Sequence, residues 1–256
     1  MTILDRFSLS GRIALVTGAR QGLGFEISRS FAEAGAHVII TGRNEAGLAA
    51  ACDDIRSTGG KISYSAFDLA DGEARRAALA DILETHGQID ILVNNVGARD
   101  RRSIGAFSDD EITAFMATDL IGAIALSRDA ATVMKAKGHG RLIFISSITA
   151  HNALPGDNLY PAAKAGLEGL ARALAVEYGP VGITSNIIAP GMFATQTNAH
   201  LADDPDMLAF AQSRVPVQRW GRPEEIAGAA LLLASDAGSF INGATITVDG
   251  GHSVKM

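Results

Sequence analysis

The chain has 256 residues, 47% hydrophobic and 20% charged, with a net charge of -6 and one cysteine. That length suits one large α/β domain with its own core. The charge, with no basic block or stripe, argues against a nucleic-acid partner. The lone Cys52 excludes an internal disulfide and reads as an inert, at least half-buried thiol in a helical stretch. Met1–Arg12 carries Asp5, Arg6 and Arg12 but no apolar signal core. No apolar run reaches the roughly eighteen residues of a membrane span. No membrane association and a cytoplasmic location are therefore expected.

Along the chain, strand-like runs alternate with helical patterns. Strands are expected at 13–17, 37–41, 62–67, 89–94, 141–146, 184–188 and 244–248. Helices are expected at 22–34, 45–57, 71–86, 109–137 and 158–178. The short apolar strands, such as Val38-Ile39-Ile40 and Leu142-Ile143-Phe144-Ile145, lack period-two alternation. Strands buried on both faces look like that. Seven such strands with helical crossovers predict a doubly wound parallel sheet with helices on both faces, in a single domain spanning 1–256. From Pro190 to Arg222 no strand is expected, only a short helix near 206–213. An excursion of that length after the carboxyl end of a strand reads as a substrate lid at about 190–222.

Thr17-Gly18-Ala19-Arg20-Gln21-Gly22-Leu23-Gly24 joins the first strand to the first helix. Glycines at 18, 22 and 24 permit a tight turn and let a pyrophosphate approach the free N–H groups of the helix amino terminus. In this position the string reads as a Rossmann-type dinucleotide loop, with Gly18, Arg20, Gln21, Gly22, Leu23 and Gly24 as its contacts; the alternative is a purely structural glycine turn. The tip of the second strand, Thr41-Gly42-Arg43-Asn44, lacks the acid that usually receives the 2′-hydroxyl of NAD. A guanidinium there binds a 2′-phosphate instead, so Arg43, assisted by Arg20, favours NADP(H) over NAD(H); the alternative for Arg43 is a solvated surface residue. Asp68 either accepts from the adenine amino group or caps the next helix, with Leu69 beside it on the cofactor side.

Tyr160 and Lys164 are four apart, on one helical face, and Ser147 lies upstream. A phenol has an unperturbed pKa of about 10, and a nearby fixed cation favours its ionised form. Lys164 is therefore expected to lower the pKa of Tyr160. Pro161 suits a first helical turn and places the helix start close to Tyr160, capped by Asp157 or Asn158.

With these pieces placed, the chain resembles the short-chain dehydrogenase/reductase family over essentially its whole length. The matching residues are Thr17-Gly18-x-x-x-Gly22-x-Gly24, Asn94-Asn95-Val96-Gly97, Ser147, Tyr160-x-x-x-Lys164 and Pro190-Gly191-x-x-x-Thr195. The resemblance implies transfer of hydride between a nicotinamide dinucleotide and a carbonyl or alcohol. Tyr160 would be the acid/base, Ser147 would polarise the substrate oxygen, and Lys164 would bind the nicotinamide ribose. Asn94 would line the adenosine side, Ile188 and Thr195 would meet the nicotinamide amide, and Gly97, Pro190 and Gly191 would complete the cofactor wall. The family's catalytic asparagine aligns here with Asp119, whose added negative charge favours a charged Lys164. Val96 stands where alanine is commoner and narrows the space beside the cofactor. The resemblance also implies a homotetramer, with helices 109–137 and 158–178 packing across subunits.

Within the family the chain looks most like gluconate 5-dehydrogenases and related sugar-acid or polyol reductases, through Phe7-Ser8-Leu9-Ser10-Gly11, the basic loop Gly97–Arg102, Arg219-Trp220-Gly221 and Val248-Asp249-Gly250-Gly251. A 3-oxoacyl thioester reductase or a general carbonyl reductase are the enzyme alternatives. A cofactor-binding regulator without turnover, suggested by Asp119, is the alternative of another class. Arg99 either pairs with a substrate carboxylate or belongs to a solvated basic loop. His151 and Asn152 fall where substrate contacts are expected. No second ligand stands at metal spacing from His151, so no metal is expected. Met192 and Phe193 would give the lid an apolar face towards a small-molecule substrate.

Overall fold

Neighbouring residues in the strands are buried on opposite sides of one sheet, and that determines the layers. The computed structural model describes residues 2–255. Its strands are β1 (Ile13–Thr17), β2 (His37–Gly42), β3 (Lys61–Ala66), β4 (Ile91–Asn94), β5 (Gly140–Ile145), β6 (Ile183–Pro190) and β7 (Thr245–Val248). All pair in parallel, in the order β3-β2-β1-β4-β5-β6-β7. Val16, Val38 and Ile40 pack on one face with Phe25, Phe31, Leu48, Ile55 and Leu233. Leu15, Ile39, Leu92 and Phe144 pack on the other with Leu79, Leu126, Met134, Leu167 and Leu174. The first set meets helices α1 (Gly22–Glu33), α2 (Glu45–Ser57) and α9 (Ala227–Ala234). The second meets α3 (Gly72–His86), α5 (Gly122–Lys137) and α6 (Leu159–Tyr178). Full burial on both faces explains the missing alternation in the sequence. Truncating a side chain such as Phe144, which is fully buried, costs about 3–5 kcal/mol.

The strand order reverses between β1 and β4. In an open parallel sheet the carboxyl ends of the strands part there and leave a crevice. Thr17 ends β1 and Asn94 ends β4, so both chain segments that follow open onto that crevice.

Three local features differ from expectation. The long helix 109–137 is two helices, α4 (Asp109–Met116) and α5, joined by a π-helical turn at Ala117–Ile121 whose closing bond runs from the Gly122 N–H to the Ala117 carbonyl. Helix α6 starts at Leu159 with no side-chain cap from Asn158; the Asp157 carboxylate is taken by Arg99. Pro161 is still accommodated, because the first-turn N–H groups have no intrahelical partner to lose. After Arg222, where no helix was expected, α9 forms from Ala-Gly-Ala-Ala-Leu-Leu-Leu-Ala, which lacks a polar face to mark its period. The 190–222 excursion holds α7 (Ala199–Ala202) and α8 (Pro205–Arg214) and is tied back by a bridge between Phe193 and Gly221. Among the described residues no helix is long and apolar enough to cross a membrane.

Candidate active site

The crevice at the switch point widens into a cleft of about 1610 Å³. Single small-molecule sites occupy roughly 300–1,000 Å³, so this one has room for two ligands side by side.

Its floor at one end is the glycine loop. Gly18 and Gly22 hold φ of +63° and +67°, the left-handed region that favours glycine. A Cβ on Gly18 would lie 3.0 Å from Val96 Cγ2, so Val96 does crowd this wall. Asn95 fastens the loop across the switch point: its Nδ2 donates to the carbonyls of Thr17 (3.0 Å) and Gly18 (3.1 Å), and its N–H donates to Thr17 Oγ1 at 2.9 Å. A Cβ on Gly24 would come within 2.4 Å of that Nδ2, so Gly24 serves the packing of the loop and does not line the cleft. The asparagine doublet thus works in the reverse sense to expectation. Asn94 points away from the cleft into the core, donating to Ser127 Oγ at 2.9 Å, and Asn95 lines the cleft.

Arg20, Gln21, Leu23, Arg43, Asp68 and Leu69 border the same end. Arg43 is largely exposed, with Nη1 3.8 Å from Asp68 Oδ2. Asn44 caps α2 by accepting from the Gly47 N–H at 2.8 Å. Asp68 caps no helix; Asp71 does that for α3, accepting from Glu73 and Ala74. Gly122 lets α5 approach Leu69 closely, since a Cβ there would meet Leu69 Cγ at 2.7 Å.

At the other end Ser147, Tyr160 and Lys164 converge, brought from the end of β5 and the first two turns of α6. Ser147 Oγ accepts from the N–H and hydroxyl of Thr149 at 3.1 and 2.9 Å. Lys164 is 1% exposed, and its Nζ donates to the carbonyls of Val96 (3.1 Å) and Ile145 (3.0 Å). A Cβ on Gly97 would sit 2.8 Å from that Nζ, so a side chain there would push the ammonium from its place. Burial pushes the Lys164 ammonium down to about 8, and the Asp119 charge opposes this. Asp119, on the π-helical turn, lies buried one layer behind the cleft and accepts from the Ala98 N–H with both oxygens at 3.0 Å. Burial raises its pKa, while the Ala98 bond and Lys164 lower it.

The expected lowering of Tyr160 by Lys164 is not what the site produces. Burial raises the phenol's pKa, and the opposing influences are first the Arg99 guanidinium and then a hydrogen bond with Ser147. Arg99 lies 5.3 Å from the ring centroid. The ammonium is instead engaged by two backbone carbonyls, and desolvation of the phenol outweighs the nearby positive charge.

On the substrate side the expectations divide. Arg99 and Arg101 face the cleft, but Arg99 already carries a carboxylate, donating from Nε to Asp157 Oδ2 at 2.8 Å. His151 and Asn152 are not in the wall: His151 turns to Glu168, 2.9 Å away, and Leu154 and Pro155 take their place. Ile188 is fully buried within the sheet, its carbonyl accepting from the Ser146 N–H at 2.8 Å, so it lines nothing; Pro190, Gly191 and Thr195 do. Met192 and Phe193 border the cleft, joined by Leu201, Met207, Phe210, Trp220 and His252, which sequence reasoning missed. The excursion also touches the glycine loop. Gln196 Oε1 accepts from the Gly22 N–H at 2.9 Å, and Gln21 Nε2 donates to Thr197 Oγ1 at 3.2 Å. Among the described residues no group of three or more His, Cys, Asp or Glu side chains is arranged to hold a metal.

Comparison with known proteins agrees with this geometry. The family model described as enoyl-(acyl carrier protein) reductase matches residues 18–253. Gluconate 5-dehydrogenase of Gluconobacter oxydans is 36% identical over 252 residues, covering 98% of each chain. The 3-oxoacyl-acyl-carrier-protein reductase of Escherichia coli is 38% identical over 244 residues, covering 95% of this chain and 98% of its own. Among solved structures, gluconate 5-dehydrogenase from Burkholderia cenocepacia, in complex with NADP and tartrate, superposes with a TM-score of 0.93 at 38% identity over 100% of both chains. The glycine loop, the seven-stranded order and these full-length matches together make the chain a member of the short-chain dehydrogenase/reductase family, oxidoreductases that act on CH–OH groups.

Proposed function

We propose that the protein interconverts a secondary alcohol and a ketone with NADP(H), on a small polar substrate such as a sugar acid or polyol. The observation that carries this is the convergence of Ser147, Tyr160 and Lys164 on one cleft that is continuous with the glycine loop. The cradle suits a dinucleotide: Gly18 and Gly22 sit at positive φ, a Cβ on Gly97 would strike Lys164, and α1 offers its amino terminus. Gly18 to Leu23 would hold the pyrophosphate, Asn95 to Gly97 and Pro190 to Thr195 the rest of the cofactor wall. The bound nicotinamide supplies or takes up the hydride. Tyr160, protonated at neutral pH as an ordinary phenol is and held so more firmly by burial, gives its proton to the carbonyl oxygen as charge grows there. Ser147 donates a second hydrogen bond to that oxygen. Lys164, fixed by Val96 and Ile145, would have its remaining N–H free to hold the cofactor ribose.

The preference for NADP(H) rests on Arg20 and Arg43 flanking a β2 tip without an acid, where a 2′-phosphate finds bidentate donors. Two gluconate 5-dehydrogenase structures and one 2-deoxy-D-gluconate 3-dehydrogenase structure similar to this chain hold NADP. Arg43→Asp is expected to lower the NADPH-over-NADH ratio of kcat/KM about tenfold or more; an unchanged ratio sinks the assignment. The sugar-acid reading draws on the gluconate 5-dehydrogenase and 2-dehydro-3-deoxy-D-gluconate 5-dehydrogenase relatives and on the basic loop at Arg99–Arg102. A 3-oxoacyl thioester is the second reading, favoured by the Escherichia coli relative and by the apolar wall of Leu154, Met192 and Trp220. Oxidation of NADPH and NADH with 5-keto-gluconate, other keto-sugar acids and a 3-oxoacyl thioester, run side by side, separates the two; no turnover on any of them removes both.

The same reading treats the whole chain as one domain with 190–222 as its lid, working in the cytoplasm as a homotetramer. An apolar, small-residue face on α6 (Ala162, Ala165, Gly169, Ala173, Val176) is exposed, and Ile121 beside α5 is exposed too. Light scattering checks the tetramer, and a monomer at micromolar concentration removes it.

A further inference from the structure

One more buried carboxylate lies beside the reactive end, and the chemistry above makes no use of it. Glu168 is 1% exposed and stands one helical turn beyond Lys164 on α6, in line with Tyr160 and Lys164. Leu167, Ala171 and Leu174 are the buried residues of the same stretch of α6. A carboxylate in such company is retained only with partners. Its partners lie on both sides of Ser147 in the chain. Oε1 accepts from Ser146 Oγ at 2.8 Å, and Oε2 is 2.9 Å from His151 Nε2 and 3.7 Å from Arg172 Nη1. Ser146 is held from two further sides: its Oγ reaches the Lys164 carbonyl at 3.4 Å, and its N–H donates to Ile188 of β6. Glu168 therefore grips the segment Ser146–His151 at both ends, from the same helix that carries Tyr160 and Lys164.

We infer that Glu168 is a positioning residue that fixes the Ser147 hydroxyl against the Tyr160 phenol by clamping Ser146 and His151 to α6. The inference rests on the roles proposed for Ser147 and Tyr160. The hydrogen bonds that fasten Ser147 Oγ come from Thr149 of its own segment, so its approach to the phenol depends on how that segment sits against α6. Without the clamp, the 146–151 segment keeps its turn, with Thr149 still bonded to Ser147, but loses its registration against the helix. Misplacement of reacting groups by about an ångström costs on the order of a hundredfold in rate.

The test uses Glu168→Leu, which removes both grips, Glu168→Gln, which keeps an acceptor for Ser146, and Ser146→Ala, which removes the inner grip alone. Glu168→Leu and Ser146→Ala are each expected to lower kcat for ketone reduction about tenfold or more, with the NADPH dissociation constant little changed; kcat is read well below the melting temperature, which falls in Ser146→Ala because a buried carboxylate oxygen loses its partner. Glu168→Gln is expected to recover kcat to within about threefold of the parent, and the Ser146→Ala/Glu168→Leu pair to be no worse than the poorer single variant. Wild-type kcat in Ser146→Ala, or a Gln variant as poor as the Leu variant, overturns the proposal; if Glu168→Leu does not fold, the other two still decide. A second readout needs no substrate. The Ser147 bond lowers the phenol's pKa, so ultraviolet titration of Tyr160, with Tyr160→Phe as the blank, should move upward in Ser146→Ala. If the parent protein turns over no ketone, the functional reading fails by itself, and an unmoved phenol titration then overturns the clamp.

Discussion

Buried charge collects at both edges of the sheet, and the two collections behave differently. At the amino edge Asp90, 5% exposed, accepts from the Ile13 N–H and Gln88 Nε2 at 2.8 Å each and faces Arg12 at 3.8 Å. Arg141, 4% exposed, reaches Asp236 at 3.4 Å, and Arg12 reaches the same carboxylate at 3.6 Å. None of these groups borders the cleft. At the carboxyl edge Lys164, Asp119 and Tyr160 are spent on backbone carbonyls, a backbone N–H and a hydroxyl, and they converge on the cleft or lie just behind it. Perturbed titration does not tell the edges apart. His139, at the amino edge, is pushed down to about 4 by burial and then by Arg141 and Arg12, further from its ordinary value than anything its position gives it to do. Strong perturbation is a probabilistic marker of function. Here convergence on a cavity separates the chemical edge from the structural one.

The contrast is sharpest in the largest expected effect. Tyr160→Phe removes only a hydroxyl and should lower turnover by about 10²–10⁴-fold, with cofactor binding and melting temperature preserved; substantial activity would break the assignment of the carboxyl edge. At the opposite edge Asp90→Ala strands the Ile13 N–H and unpairs Arg12, and should cost about 1–3 kcal/mol in denaturant unfolding while kcat at a permissive temperature holds. A loss of kcat without a loss of stability would mean that the edges are not separable. A smaller effect tests Asp119. Its negative charge supports the protonated form of Lys164, whose pKa stands near 8. In Asp119→Asn the alkaline limb of kcat/KM should therefore move to lower pH, and an unmoved limb would show that the two charges are not coupled. The smallest effect belongs to His139. It is neutral in the fold down to about pH 4, but in the unfolded chain it takes a proton below its ordinary value of 6.5. Its contribution is fully present above pH 6.5 and is lost as the pH falls towards 4, because the unfolded state binds more protons there. His139→Gln should flatten the stability profile in that window alone.

The layers and the cofactor end were legible in the sequence because they depend on local signals. Strands buried on both faces write continuous apolar runs, and Gly18 and Gly22 mark the turn that only glycine makes easily. Tyr160 and Lys164 were legible as a pair, since helical spacing alone puts them on one face. What stayed hidden depends on distance in space. Asn94 and Asn95 are chemically identical neighbours, and only their positions at the end of β4 send one into the core and the other to the glycine loop. His151 lies at the expected place in the chain, but the buried Glu168 holds it outside the cleft wall. The pKa of Tyr160 turns on how deeply the phenol is desolvated, which no spacing encodes. Met207, Phe210 and Trp220 join the cleft because the excursion folds back over it.

The π-helical turn at Ala117–Ile121 has a consequence for any attempt to alter this protein by deletion. Each residue of a helix turns the wheel by about 100°, so the one surplus residue of a π turn sets the angular phase of everything after it. On one side of the turn Ser108 and Glu111 form the box that starts α4; on the other Leu126, Ala130 and Met134 fill the core. Shortening the turn by a single residue would restore an unbroken helix and rotate one half against the other. Either the start of α4 would swing off its loop or Leu126 and Met134 would turn out of the sheet, and Asp119 would leave the Ala98 N–H. The surplus residue acts as a phase shifter between a helix fixed by its cap and a helix fixed by its core.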